Sequence, residues 1–159
     1  MRTLRIAATL AVLTVSVAAL PVTTGAAPGD DEPEAATVDP DFAAGKAGIR
    51  AKNWNGAIKA LSSAALRDTR NPDIQNYLGY AYRHTGRMEL AFKHYQRALQ
   101  LNPRHRGAHE YMGEAYLMVN DLAKAQEHLA ALKGICLIPC EEYADLDKAI
   151  AAYRQRARK

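Results

Sequence analysis

Residues 72–105 read PDIQNYLGYAYRHTGRMELAFKHYQRALQLNPRH. Two amphipathic helices are written in this stretch, with a break at Thr85-Gly86-Arg87. Small residues punctuate both: Gly79 and Ala81 in the first, Ala91 and Ala98 in the second. A step of 34 residues in either direction meets the same offsets again. Gly45, Gly79 and Gly113 line up, as do Ala47, Ala81 and Ala115, and Ala57, Ala91 and Ala125. Larger side chains keep the step: Ala44, Leu78, Met112; Trp54, Met88, Leu122; Leu61, Tyr95, Leu129. A fixed period of this size marks stacked helix pairs, each of which buries its apolar face only on its neighbours.

The stretch resembles a tetratricopeptide repeat, whose pattern is Trp-x2-Leu-Gly-x2-Tyr, then Ala-x3-Phe, then Pro. Leu78-Gly79 and Tyr82 match its first part, with Gln75 in place of the Trp; Ala91 and Tyr95 match the second, and Pro103 closes the unit. The third copy keeps Met112-Gly113, Tyr116, Ala125 and Leu129, with Leu137 where the closing Pro belongs. The first keeps Ala44-Gly45, Ala57, Leu61 and Ala64, with Gly48 replacing the Tyr. The likeness covers about residues 38–139. It implies an all-α, right-handed helix-turn-helix solenoid of three repeats: 39–71, 72–105 and 106–139.

The chain begins with an export pattern. Arg2 and Arg5 precede a mostly apolar run over 6–20 that Pro21 breaks, and Thr24-Gly25-Ala26 offers small residues for cleavage after Ala26. Fifteen residues of helix span only about 22 Å, short of a hydrocarbon core of roughly 30 Å, so a cleaved signal peptide is expected rather than an anchor. Its loss lowers the formal charge from +4 to +2, which is no nucleic-acid-binding balance. Residues 27–38 hold Pro28, Gly29, Pro33 and a run of acids with little to bury, and read as a flexible acidic linker.

Helices are expected at 40–52 and 54–67, at 73–84 and 88–101, and at 107–119 and 122–133, with Gly134 stopping the last. Small residues at Ala44, Gly45, Ala47 and Gly48 predict close helix approach in the first pair, and Gly79 is expected to face Ala91 in the second. A further helix at 141–156 places Tyr143, Leu146, Ile150 and Tyr153 on one face. Asp147 stands where the repeat glycine would fall, so residues 140–159 read as a capping helix with a basic tail.

The resemblance implies that the first helix of each repeat lines a concave, partner-binding groove. The residues so assigned are Phe42, Lys46, Ile49 and Arg50, then Asn76, Tyr80, Arg83 and His84, then Glu110, Glu114 and Leu117. Phe42, Ile49, Tyr80, Leu117 and Met118 are expected to be exposed among charges, the mark of a docking surface. Charge is expected to be graded, basic on the first two repeats and acidic on the third, and the acidic linker could compete for the basic end. Some members of the family hold a partner's C-terminal carboxylate with basic residues. Lys46 and Asn76 sit at matching places, but Glu110 and Glu114 stand where bases are needed, so that clamp is not expected.

Cys136 and Cys140 are the only cysteines. In an exported chain they suggest a local disulfide pinning the connector to the cap. Thiol exchange or copper(I) binding is the alternative, with His105 and His109 also four apart. His84, His94 and His128 each read as lone surface residues. The sequence shows no nucleophile triad order, nucleotide-binding glycine loop or HExxH motif. The reading is a periplasmic or secreted, non-enzymatic scaffold without cofactor or metal, binding a protein or peptide; the alternative is a thiol-redox or copper-handling accessory protein.

Overall fold

The computed structural model describes residues 39–138 and 140–158. The export segment 1–26 and the acidic linker 27–38 lie outside the described residues. Seven helices follow one another and no strand is present among those residues: α1 Pro40–Arg50, α2 Trp54–Arg67, α3 Pro72–His84, α4 Met88–Leu101, α5 Arg106–Met118, α6 Leu122–Ile135 and α7 Glu141–Arg156. They form three helix pairs and a seventh helix, stacked as a right-handed solenoid.

The sequence writes most of the helix starts through capping. Asp39 Oδ1 accepts from the N–H groups of Asp41 and Phe42, and Pro40 opens α1. Asn71 caps α3 before Pro72, and Asp121 caps α6. The start of α5 is less legible: its cap is His105, whose Nδ1 accepts from Ala108 N–H. The turn inside each pair reverses at one left-handed residue, at Lys52 (φ 55°), Gly86 (φ 75°) and Asn120 (φ 62°). These three are 34 apart, so the repeat extends to backbone conformation. Only the middle turn uses glycine, the residue that adopts this region without steric cost.

Buried side chains form three successive clusters. Ile58, Leu61, Ile74 and Leu78 fill the first, Tyr95 and Met112 the second, and Leu117, Leu132, Leu146 and Ile150 the third. The repeat glycines lie where helices come closest. A Cβ on Gly45 would fall 2.5 Å from Leu61, and one on Gly79 would fall 2.6 Å from the Tyr95 ring. Gly79 therefore faces Tyr95 rather than Ala91; the position that meets the small residue of the second helix is that of Gly48, whose Cβ would lie 3.1 Å from Ala57. In the third pair the glycine meets the cap instead, because Leu146 would stand 2.6 Å from a Cβ on Gly113.

Three further expectations are corrected. Ala44 and Ala47 are exposed, because they occupy the side of the first pair that, in later pairs, is covered by the preceding repeat. Gly134 does not stop α6, which continues to Ile135. α1 ends at Arg50. The cap is as expected: Leu146 and Ile150 are 0% and 2% exposed, and α7 packs on both α5 and α6. Its opening acids Glu141 and Glu142 and its closing bases Arg154 and Arg156 suit the helix dipole.

Candidate functional site

The first helices of the pairs, α3 and α5, together with α7, line one face. Their side chains, joined by Trp54 at the start of α2, form an aromatic tract and an acidic cleft there. The tract begins where Trp54 stacks on His84 with ring centroids 4.3 Å apart. It continues through Tyr80, 4.5 Å from His84, to Tyr111, 4.7 Å from Tyr80. The Arg83 guanidinium lies over both tyrosines, 5.1 and 5.7 Å from their centroids, a cation–π arrangement. Arg83 is 7% exposed and donates from Nη1 to Glu114. That ion pair joins α3 to α5 and removes both members from the expected charge gradient.

The structure separates the other sequence-assigned groove residues. Leu117 is 8% exposed and belongs to the cluster beneath α7, so it does not line the groove. Its counterpart one repeat earlier is Arg83, which meets α5 in the way that Leu117 meets the cap. Phe42 and Ile49 are half-buried against the first cluster, and Phe42 carries the Lys46 ammonium 4.7 Å above its ring. Of the apolar residues expected to be exposed, only Met118 is, at 57%. Arg50 and His84 are exposed, and Tyr80 is half-buried.

Asn76 and Glu110 belong to the cleft, of about 500 Å³, that runs between the N-terminal halves of α3, α5 and α7. Tyr77 and Tyr111 stand on it one repeat apart, and Glu141, Glu142 and Asp145 close it from the cap. Asn76 is 4% exposed and its Oδ1 has no hydrogen-bond partner among the described residues. Gly107 keeps the floor open, since a Cβ there would lie 3.2 Å from Asn76 Nδ2. Glu110 is 8% exposed. Burial, reinforced by Glu114, Asp145 and Glu142, pushes its carboxyl up to about 8, so at neutral pH much of it is protonated. Sequence reasoning missed Tyr77, Tyr111 and Asp145, although the same 34-residue step connects them.

His94 and His128 are not lone surface residues, and His84, though exposed, is stacked on Trp54. His94 stacks on Tyr82 and its Nδ1 lies 2.8 Å from Gln75 Oε1. His109 donates from Nε2 to the Pro103 carbonyl at 3.0 Å, which leaves its Nδ1 to accept from His128 Nδ1–H at 2.9 Å. His105 Nε2 donates to Asp73. The ring nitrogens of His105 and His109 are thus engaged away from the sulfur atoms. Cys136 and Cys140 are bonded to each other, with Cα atoms 5.9 Å apart. Among the described residues, no group of three or more His, Cys, Asp or Glu is placed to hold a metal. No helix there is long and apolar enough to cross a membrane.

Fold and register define a right-handed solenoid of stacked helix pairs. Residues 72–105 match the family model of the tetratricopeptide repeat. No curated protein matches the chain. Among solved structures it is similar to the Yersinia enterocolitica type III secretion translocator chaperone SycD, at 16% identity and a TM-score of 0.65, over 75% of this chain and 84% of that one. It is similar to the Sgt2 TPR domain from Aspergillus fumigatus, at 18% identity and a TM-score of 0.65, over 76% and 78%. The TPR2B domain of yeast Sti1, solved as a complex with pHsp70, matches at 17% identity and a TM-score of 0.64, over 73% and 94%. SycD has also been solved with a peptide of the translocator YopD. At these identities the likeness is one of fold.

Proposed function

We propose that the protein is an exported, non-catalytic scaffold that docks a protein or peptide partner on the face formed by α3, α5 and α7. The observation that carries this reading is the continuous tract from Trp54 to Tyr111 beside the open cleft at Asn76 and Glu110. Aromatic side chains held rigidly on packed helices offer contact area at little conformational cost, and such residues dominate interface energetics. The complexes of SycD with a YopD peptide and of Sti1 with pHsp70 support a docking role for this fold. Export rests on the pattern of Arg2, Arg5 and the apolar run 6–20.

Affinity capture from envelope and culture fractions, with Tyr80→Ala/Tyr111→Ala as the control bait, tests the docking face. A partner retained by the native chain and lost with the control is expected; identical retention by both contradicts the reading. N-terminal sequencing of the exported protein is expected to start at Ala27. Recovery of the chain only inside the cell, with Met1 or Arg2 first, contradicts export.

A further inference from the structure

The cleft has a charge that its own residues leave unbalanced. Its acids are Asp73 from α3, Glu110 from α5, and Glu141, Glu142 and Asp145 from α7. Its bases are Arg104, His105 and Arg106. His105 is engaged with Asp73, and Arg106 pairs with Glu142 at 3.4 Å. Arg104 reaches out to the Ile135 carbonyl, and Arg83, the nearby base of α3, is committed to Glu114. Glu110, Glu141 and Asp145 therefore form no ion pair among the described residues, and the acids of the cleft outnumber Arg104 and Arg106. A second, independent feature is the buried Asn76 Oδ1, an acceptor without a donor. An unsatisfied acceptor of this kind is costly unless a water or a ligand supplies the donor. Tyr77 and Tyr111 add two ring faces.

We propose that this cleft is the subsite for one arginine or lysine side chain of the docked partner segment, received by Glu110 and Asp145, with the Asn76 amide turning so that its Oδ1 accepts one of the incoming N–H groups. The inference rests on the docking reading and names the chemistry of the partner. Acidic and carboxylate-ended segments are repelled; a basic segment gains charge-assisted hydrogen bonds and stacking on tyrosine. Docking of a cation favours ionised Glu110, so binding releases a proton. Affinity is then lower while Glu110 is neutral and rises with pH through about 8, the value to which burial and its acidic neighbours push it.

The test is panning a library of random short peptides on the full chain, followed by titration of the selected peptides against variants. Selected peptides are expected to be enriched in Arg and Lys. Glu110→Gln and, separately, Asp145→Asn are each expected to weaken them about tenfold, and changing the basic residue to Ala to weaken them comparably. Asp145 is exposed, so its substitution leaves folding intact. Peptides that bind the chain but lack basic residues, or that ignore both variants, would overturn the cation subsite and leave the docking reading standing. Retention of no peptide would overturn both. Self-association abolished by trimming residues 154–159 would assign the cleft to a second copy's basic tail and overturn the choice of a foreign partner.

Discussion

At the scale of single residues, glycine is the sharpest readout of the packing. Gly79 and Gly134 are both helical, and replacing either by alanine gains about 0.5–1 kcal/mol of helix propensity. Their surroundings differ. A Cβ on Gly79 would lie 2.6 Å from the ring of Tyr95, which is fully buried and has no room to swing away. A Cβ on Gly134 would meet nothing within 4 Å. Gly79→Ala is therefore expected to destabilise by about 1–3 kcal/mol, as overpacking does, and Gly134→Ala to stabilise by up to about 1 kcal/mol. Urea unfolding of both variants measures the difference, and equal signs would place the helices wrongly. The importance of Gly79 was legible in the 34-residue step, but its partner was not. Period alone says which residues are equivalent, not which of two residues one turn apart, Ala91 or Tyr95, meets it. Leu117 was misread for a related reason: its helix face is exposed until a following helix covers it, and α7 does.

At the scale of elements, the cap is the part of the chain that departs from the repeat and still completes it. Leu146 and Ile150 are buried against α5 and α6. Leu146→Asp or Ile150→Asp would leave an unpaired charge there and is expected to cost about 3–5 kcal/mol; an unchanged melting temperature in both would refute the cap. The cystine joins the end of α6 to the start of α7. Its short loop is expected to contribute about 2 kcal/mol on the chain-entropy model, read as the change in urea midpoint between the oxidised protein and Cys136→Ser/Cys140→Ser. The cap was legible because its apolar spacing is local. The histidine pair across α5 and α6 was not, because His109 and His128 are brought together only by the packing of the third helix pair.

That pair also gives stability a pH dependence of defined sign. Burial, with His109 adding to it, holds the His128 imidazole down at about 4. The native state therefore keeps it neutral, whereas the unfolded chain protonates it near 6.5. Its contribution is present above about pH 6.5 and is lost as pH falls toward 4. Glu110 has the opposite sign: its carboxyl is raised to about 8, so its contribution is present below about pH 4.5 and is lost as pH rises toward 8. Measured as differences from the native chain, His128→Gln is expected to remove a rise in stability between about pH 4 and 6.5, and Glu110→Gln a fall between about pH 4.5 and 8. Parallel stability profiles for all three proteins would contradict these environments.

At the scale of the whole molecule, the repeat turns a local period into one lined face. Residues at the same offset, such as Asn76 and Glu110 or Tyr77 and Tyr111, come to stand side by side. The helical class and the number of repeats could be read from 34-residue steps because each helix pair packs mainly on its sequence neighbours. The charge pattern of the face could not. Arg83 and Glu114 look like opposite ends of a gradient in sequence, yet they form a single ion pair, and the acids that dominate the cleft come from α7, beyond the last repeat. The central claim is that partners dock on α3, α5 and α7. Hydrogen–deuterium exchange of the full chain, alone and with a bound peptide selected on it, tests this most directly. Added protection is expected in α3, in the first half of α5 and in the opening turns of α7. Protection confined to α4 and α6, or to the exposed Leu137 and Ile138 of the connector, would contradict it.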